Sequence, residues 1–170
     1  MLNGFWQTLE SKLQNGPKKI ASSMKWELGP RHDQMDAADA WLWCCPRESC
    51  EQKAVLGYSI EHYYSPSEYS IYFGVAWGDS PVRRDSKVIA LPAVQELRSH
   101  LAKHDFKHTR WYLGWKTMGK EYHNVDEFLT TYAKAEATTF HDIESEFWDL
   151  ARKTYAGVVD ANEAIKRNRK

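Results

Sequence analysis

The stretch Tyr69-Ser70-Ile71-Tyr72-Phe73-Gly74-Val75-Ala76-Trp77 alternates large apolar residues with small or polar ones. Side chains in an extended strand point to opposite faces at successive residues, so this pattern predicts a strand with one buried face. Just upstream, Leu56, Tyr58 and Ile60 alternate with Gly57, Ser59 and Glu61. Ser65-Pro66-Ser67 lies between the two runs and reads as a turn. Two alternating runs joined by a short turn predict an antiparallel hairpin.

Outward from this hairpin, Met24, Trp26 and Leu28 alternate with Lys25 and Glu27 and end at Gly29-Pro30. Trp41-Leu42-Trp43-Cys44-Cys45 is a continuous apolar run stopped by Pro46, as expected of a strand buried on both faces. Trp111, Leu113 and Trp115 alternate with Tyr112, Gly114 and Lys116 and predict a fifth strand.

Helical spacing flanks these strands. Phe5, Leu9 and Leu13 recur at every fourth position, Asn3 can cap, and Asn15-Gly16-Pro17 terminates the run. Pro92 followed by Val94, Leu97 and Leu101 predicts a helix that fades near Lys103–Asp105. Asn124-Val125-Asp126-Glu127 has the form of a capping box and leads into Phe128, Leu129 and Tyr132. A long last helix is expected from near Thr139, with Ile143, Phe147, Leu150, Thr154, Val158 and Ile165 as its stripe and Gly157 as a point of weakness. The expected class is α+β: a mainly antiparallel sheet of about five strands with an N-terminal helix and C-terminal helices packed on it. The 170 residues suit a single domain over 1–165 with a basic tail over 166–170.

Lys and Arg number 23, as do Asp and Glu, so the formal charge is zero. That balance argues against a wholly cationic nucleic-acid binder. No apolar run approaches the ~18–20 residues of a membrane span. Met1–Glu10 lacks the sections of a signal peptide, so Cys44, Cys45 and Cys50 are expected as reduced thiols in a cytoplasmic protein. Aromatic residues reach 14%, with eight Trp.

Several spacings touch on chemistry. His100, His104 and His108 would share a face of a continuous helix and could clamp a metal, but Asp105 and Lys107 suggest that the helix has ended, and no zincin glutamate accompanies them. Cys44, Cys45 and Cys50 could seed a zinc site with His62, yet adjacent strand cysteines face opposite ways. Glu51-Gln52-Lys53 has the Glu-x-Lys form of a restriction-type nuclease, with Asp36 or Asp39 as the further acid that holds Mg²⁺. It falls in a polar loop, where a rigid strand is needed. Trp41, Trp43, Trp77, Trp111 and Trp115 could stack bases, but few cations alternate with them, and packing of a small sheet against helices explains them as well. The run Lys166-Arg167-Asn168-Arg169-Lys170 could touch phosphates or simply suit the negative end of the last helix. No Gly-x-Ser-x-Gly elbow or Gly-rich phosphate loop occurs, so no catalytic residue, metal or cofactor is assigned.

Tyr72-Phe73-Gly74-Val75, Trp111-Tyr112-Leu113-Gly114-Trp115-Lys116, Phe128-Leu129 and the closing helix resemble the region beyond the nuclease core in some bacterial PD-(D/E)XK superfamily proteins. The entry Phe5-Trp6-x-x-Leu9 is similar too. Those proteins occur among mobile-element and phage-defence functions. The segment that carries the family's catalytic acids and lysine has no counterpart here. The resemblance therefore implies a free-standing accessory or recognition domain.

The expected function is a non-enzymatic module that presents aromatic side chains to a protein partner. Tyr63, Tyr64, Tyr72 and Tyr112 fall on or near the less apolar faces of their strands, and Arg83 and Arg84 follow on a loop. The alternative is nucleic-acid binding or Mg-dependent nuclease-like action through Glu51, Lys53 or the basic run. Self-association through the last helix is a third possibility.

Overall fold

The computed structural model describes residues 2–29, 41–50, 56–65, 67–78 and 85–169. The chain begins with α1 (Leu2–Gln14) and the short α2 (Lys18–Ala21), followed by β1 (Met24–Gly29) and β2 (Trp41–Pro46). A one-turn α3 (Arg47–Cys50) precedes β3 (Leu56–Ser65) and β4 (Glu68–Trp77). Then come α4 (Ser86–Ile89), α5 (Pro92–Ala102), β5 (Tyr112–Tyr122), α6 (Val125–Lys134) and the 33-residue α7 (Glu136–Asn168). The strands form one sheet in sequence order, each antiparallel to its neighbour. This is the α+β architecture that the alternation predicts, with the N-terminal helix and the long C-terminal helix packed on the sheet.

One face of the sheet and one side of the helices meet in a single core. Tyr58, Ile60, Tyr69, Ile71, Phe73 and Val75 are fully or almost fully buried from the sheet side. Phe147, Leu150, Ala151, Val158 and Ile165 of α7 meet them from above. An aromatic cluster fixes α1 and α6 to the same face. Phe5 stacks on Phe140 at 5.4 Å and meets Phe128 edge-on at 5.2 Å, while Phe128 stacks on Tyr69 at 4.6 Å. Such ring pairs add about 0.5–1.5 kcal/mol each beyond their area burial. His62 is buried here too, between Trp6 and Tyr69, with Nδ1 at 3.3 Å from the Tyr69 hydroxyl.

Several boundaries differ from the sequence expectation. Helix α1 starts at Leu2, so Asn3 is already helical and does not stand before the first turn. Helix α7 starts at Glu136, three residues ahead of Thr139, and continues unbroken past Gly157. At Gly157 the neighbouring helix comes close: a Cβ there would stand 3.2 Å from Leu97 Cδ1 of α5. The helix also runs through Lys166 and Arg167, so most of the basic run is helical. Strand β2 is not buried on both faces: Leu42 and Cys44 are buried, whereas Trp41 and Trp43 are only half-buried. The capping box of α6 forms, with Asn124 Oδ1 accepting from the Glu127 amide at 2.9 Å. Glu127 Oε2 in turn accepts from the His123 amide at 2.8 Å. No described helix is long and apolar enough to cross a membrane.

Asn162 makes the most specific tie between helix and sheet. The β2–β3 pairing ends at Cys44 opposite Tyr58, which leaves the start of β3 without a strand partner on that side among the described residues. The carboxamide of Asn162 takes that place. Its Oδ1 accepts from the Leu56 amide at 2.8 Å and its Nδ2 donates to the Leu56 carbonyl at 2.9 Å. Replacing it strands a buried donor and a buried acceptor, each costing about 1–3 kcal/mol. Asn162→Ala is expected to lower unfolding stability by about 2–4 kcal/mol in urea denaturation. A loss below about 0.5 kcal/mol, the size of a neutral surface change, would contradict the assigned role.

Candidate functional site

Apart from the single turn of α3 at its edge, no described helix lies over the second face of the sheet. Strand register places Lys25 and Glu27 of β1, Trp41, Trp43 and Cys45 of β2, and Ser59 and Glu61 of β3 on this side. Tyr72 and Ala76 of β4 follow. In β5 a register shift between the Val75 and Ala76 pairings breaks the alternation. Sequence alternation groups Trp111, Leu113 and Trp115 on one face. Instead Leu113 enters the core, while Tyr112 and Trp115 both meet Tyr72 on the open side, with ring centroids 5.9 and 5.8 Å away.

Together these residues line an open cavity of about 640 Å³. Its walls are indole and phenol: Trp41, Trp43, Trp111, Tyr72 and Tyr112. Gly57 lets Trp43 lie flat on the strand, since a Cβ at that position would come within 2.5 Å of the indole ring. Of the eight tryptophans, Trp6, Trp26, Trp77 and Trp148 pack on the core, Trp41, Trp43 and Trp111 line the cavity, and Trp115 lines an adjoining hollow. Trp77 also reaches the cavity's edge.

Glu61 carries the polarity of this cavity. Ser59 Oγ donates to its Oε1 at 2.8 Å, and Tyr72 Oη donates to its Oε2 at 2.8 Å. The Tyr112 hydroxyl also donates to Oε1, in a short contact. A carboxylate offers about four acceptor positions, so three hydroxyls fix the group and leave one acceptor position. Among the described residues no Lys, Arg or His forms an ion pair with Glu61. Burial, and then the neighbouring Glu61 carboxylate, push the Tyr112 phenol far above its ordinary value. Burial does the same for Tyr58 and Tyr69 in the core.

The residues expected from sequence to bind fare differently from one another. Tyr72 and Tyr112 come together at Glu61, and Tyr112 is only 5% exposed. Tyr63 is 49% exposed and borders a shallower hollow of about 400 Å³ with Trp115 and Tyr72. Tyr64 pairs with Tyr69 along the backbone; its side chain, and all of Arg83 and Arg84, lie outside the described residues. Glu51, Lys53, Asp36 and Asp39 of the nuclease reading lie outside them as well. His100 and His104 stand with ring centroids 4.9 Å apart, but α5 ends at Ala102, so of the three histidines only His100 is on that helix. Among the described residues no group of three or more His, Cys, Asp or Glu could hold a metal ion.

The cysteine expectation needs correction. Cys45 and Cys50 are joined as a disulfide, with Cα atoms 6.0 Å apart, and both line the cavity. The single turn of α3 folds Cys50 back beside the end of β2, which separation along the chain does not reveal. Only Cys44 is free. It is buried on the core side with Sγ at 3.5 Å from Met24 Sδ, and burial raises its thiol well above the ordinary value.

Comparison with protein-family models, with curated proteins and with solved structures gave no match.

Two outcomes follow from this geometry. Tyr58, Tyr69 and Tyr112 have folded values above the ordinary phenol value near 10, so their contribution to stability is full below pH ~10 and falls as pH rises beyond it. In an alkaline titration followed by phenolate absorbance and circular dichroism, these three are expected to ionise only as the fold is lost. Their ionisation ahead of unfolding would refute the assignment. For the disulfide, closing so short a loop constrains the unfolded chain by about 2 kcal/mol. Cys50→Ser is expected to lower the melting temperature by roughly 4–8 °C. An unchanged melting temperature under non-reducing conditions speaks against the bond.

Proposed function

We propose that the protein is a non-enzymatic recognition module that docks a protein partner on the open face of its sheet. The observation that carries this reading is the aromatic cavity around Glu61. Large aromatic side chains fill the interior of a protein when they can, and here four tryptophans and two tyrosines line a hollow open to solvent. Interface energy concentrates on such residues, because they bury much area and lose little side-chain entropy. Glu27 and Glu61 against Lys25 give the described lining a net negative charge. That sign repels phosphates and disfavours nucleic acid on this face.

The proposal includes a cytoplasmic setting and an accessory role alongside bacterial mobile-element or phage-defence functions, the setting of the family that the aromatic motifs resemble. In a reducing cytoplasm the Cys45–Cys50 bond opens, and the binding face is then used with both thiols free.

A photo-reactive residue placed in cells of the source at Tyr63, beside the cavity, is expected to give one discrete protein adduct. The same residue at Ser145, exposed on α7, is expected to give none. Trp111→Glu should abolish the Tyr63 adduct. Equal adducts from both positions, or indifference to Trp111→Glu, would rule the face out. A nucleic-acid adduct lost steeply with salt would replace the protein reading with a nucleic-acid one.

A further inference from the structure

We infer that the cavity around Glu61 is the subsite for an arginine side chain of the docked protein partner. The inference rests on the docking reading above and specifies its chemistry. Glu61 supplies a negative charge held in place by Ser59, Tyr72 and Tyr112, with an acceptor position left on its carboxylate. No described cation pairs with it. Glu27 adds a second carboxylate to the lining, and Lys25 is the one described cation there.

The walls select the kind of cation. Indole and phenol faces carry negative potential and attract a cation placed over them, most strongly over Trp. A guanidinium is planar and weakly hydrated, so it can lie on an indole face while donating to a carboxylate. The rim already shows this packing: the Arg110 guanidinium carbon stands 4.8 Å from the Trp111 ring centroid. An ammonium keeps a tighter hydration shell and would lose more on entering between rings. The cavity is much larger than one guanidinium, and at about 640 Å³ it leaves room for the chain that carries it. The adjoining hollow at Tyr63 and Trp115 continues the same surface along the strands.

The probes are two short peptides of the form acetyl-Gly-X-Gly-amide. In one X is arginine, and in the other it is citrulline, which has nearly the same shape without the charge. Binding is read from the indole N–H resonances of the isotopically labelled protein at low salt. The arginine peptide is expected to shift the resonances of Trp41, Trp43 and Trp111 and to bind about tenfold more tightly than the citrulline peptide. Glu61→Gln keeps the size of the side chain and removes its charge, and it is expected to make the two peptides equal. Trp111 is 45% exposed, so Trp111→Leu should leave the fold intact and weaken the arginine peptide by about threefold.

Equal binding of the two peptides to the unaltered protein overturns the inference, as does a preference that survives Glu61→Gln. Should Glu61→Gln fail to fold, unchanged arginine affinity in Trp111→Leu overturns it instead. The photo-adduct at Tyr63 does not depend on which side chain fills the cavity. Its persistence when the peptides show no charge preference removes the arginine subsite and leaves docking on this face standing. Loss of both removes the docking reading itself.

Discussion

A five-stranded antiparallel sheet has two faces, and this chain brings its helices to only one of them. Every second residue of β3 and β4 points into the core beneath the helices, and those positions hold Tyr58, Ile60, Tyr69, Ile71, Phe73 and Val75. Burial of these side chains sets the register of the whole sheet, because a shift by one residue would exchange the core face for the other. The sheet follows sequence order throughout, so each strand is held by neighbours that are also its neighbours in sequence. Helices α1, α5, α6 and α7 then have one surface on which to bury their stripes. The composition of the second face follows from this, since nothing described covers it from above.

That second face solves a different packing problem. A half-buried carboxylate is costly without donors, and Glu61 has three of them within its own sheet. The donors come from three places: its own strand, the neighbouring β4, and β5 one strand further. The register shift in β5 is what brings Tyr112 to this side, so a local irregularity of the ladder completes the cluster. Irregularities of this kind re-aim a side chain at the expense of regular pairing. Since both phenols donate to it, the carboxylate is oriented before any ligand arrives. Preorganisation of that kind reduces what binding must spend on ordering the site.

Much of the scaffold was legible in the sequence, and for a simple reason. Period-two alternation in 69–77 and helical spacing in α1, α5 and α7 both record a single buried face, and one buried face is what each of these elements has. The site was legible only in pieces. Tyr72 and Tyr112 stand out as aromatic residues on the polar side of their strands, but Glu61 reads as an ordinary solvent-facing position. Its role appears only when β3, β4 and β5 are side by side. The face assignment in β5 failed because a bulge breaks the rule of two, and no residue between Trp111 and Lys116 announces where the break falls. The Trp41–Cys45 run failed for another reason: its outward tryptophans line a cavity, and their hydrophobicity is indistinguishable in sequence from that of a core strand.

The cysteines show how the two faces of one strand can separate chemistry. Cys44 and Cys45 are adjacent, so the strand sends them to opposite sides. Cys44 lies in the core against Met24, where burial keeps its thiol protonated and unreactive. Cys45 lies on the cavity side, where the turn of α3 brings Cys50 to it. The bond ties the end of β2 to α3, and α3 itself packs near β1 and α7. Its effect is therefore local to one wall of the cavity, beside Trp43. Glu61 and its hydroxyl donors are held by a separate set of hydrogen bonds. The wall beside Trp43 and the carboxylate consequently rest on different contacts: the disulfide ties the end of β2, while hydroxyls of β3, β4 and β5 hold Glu61.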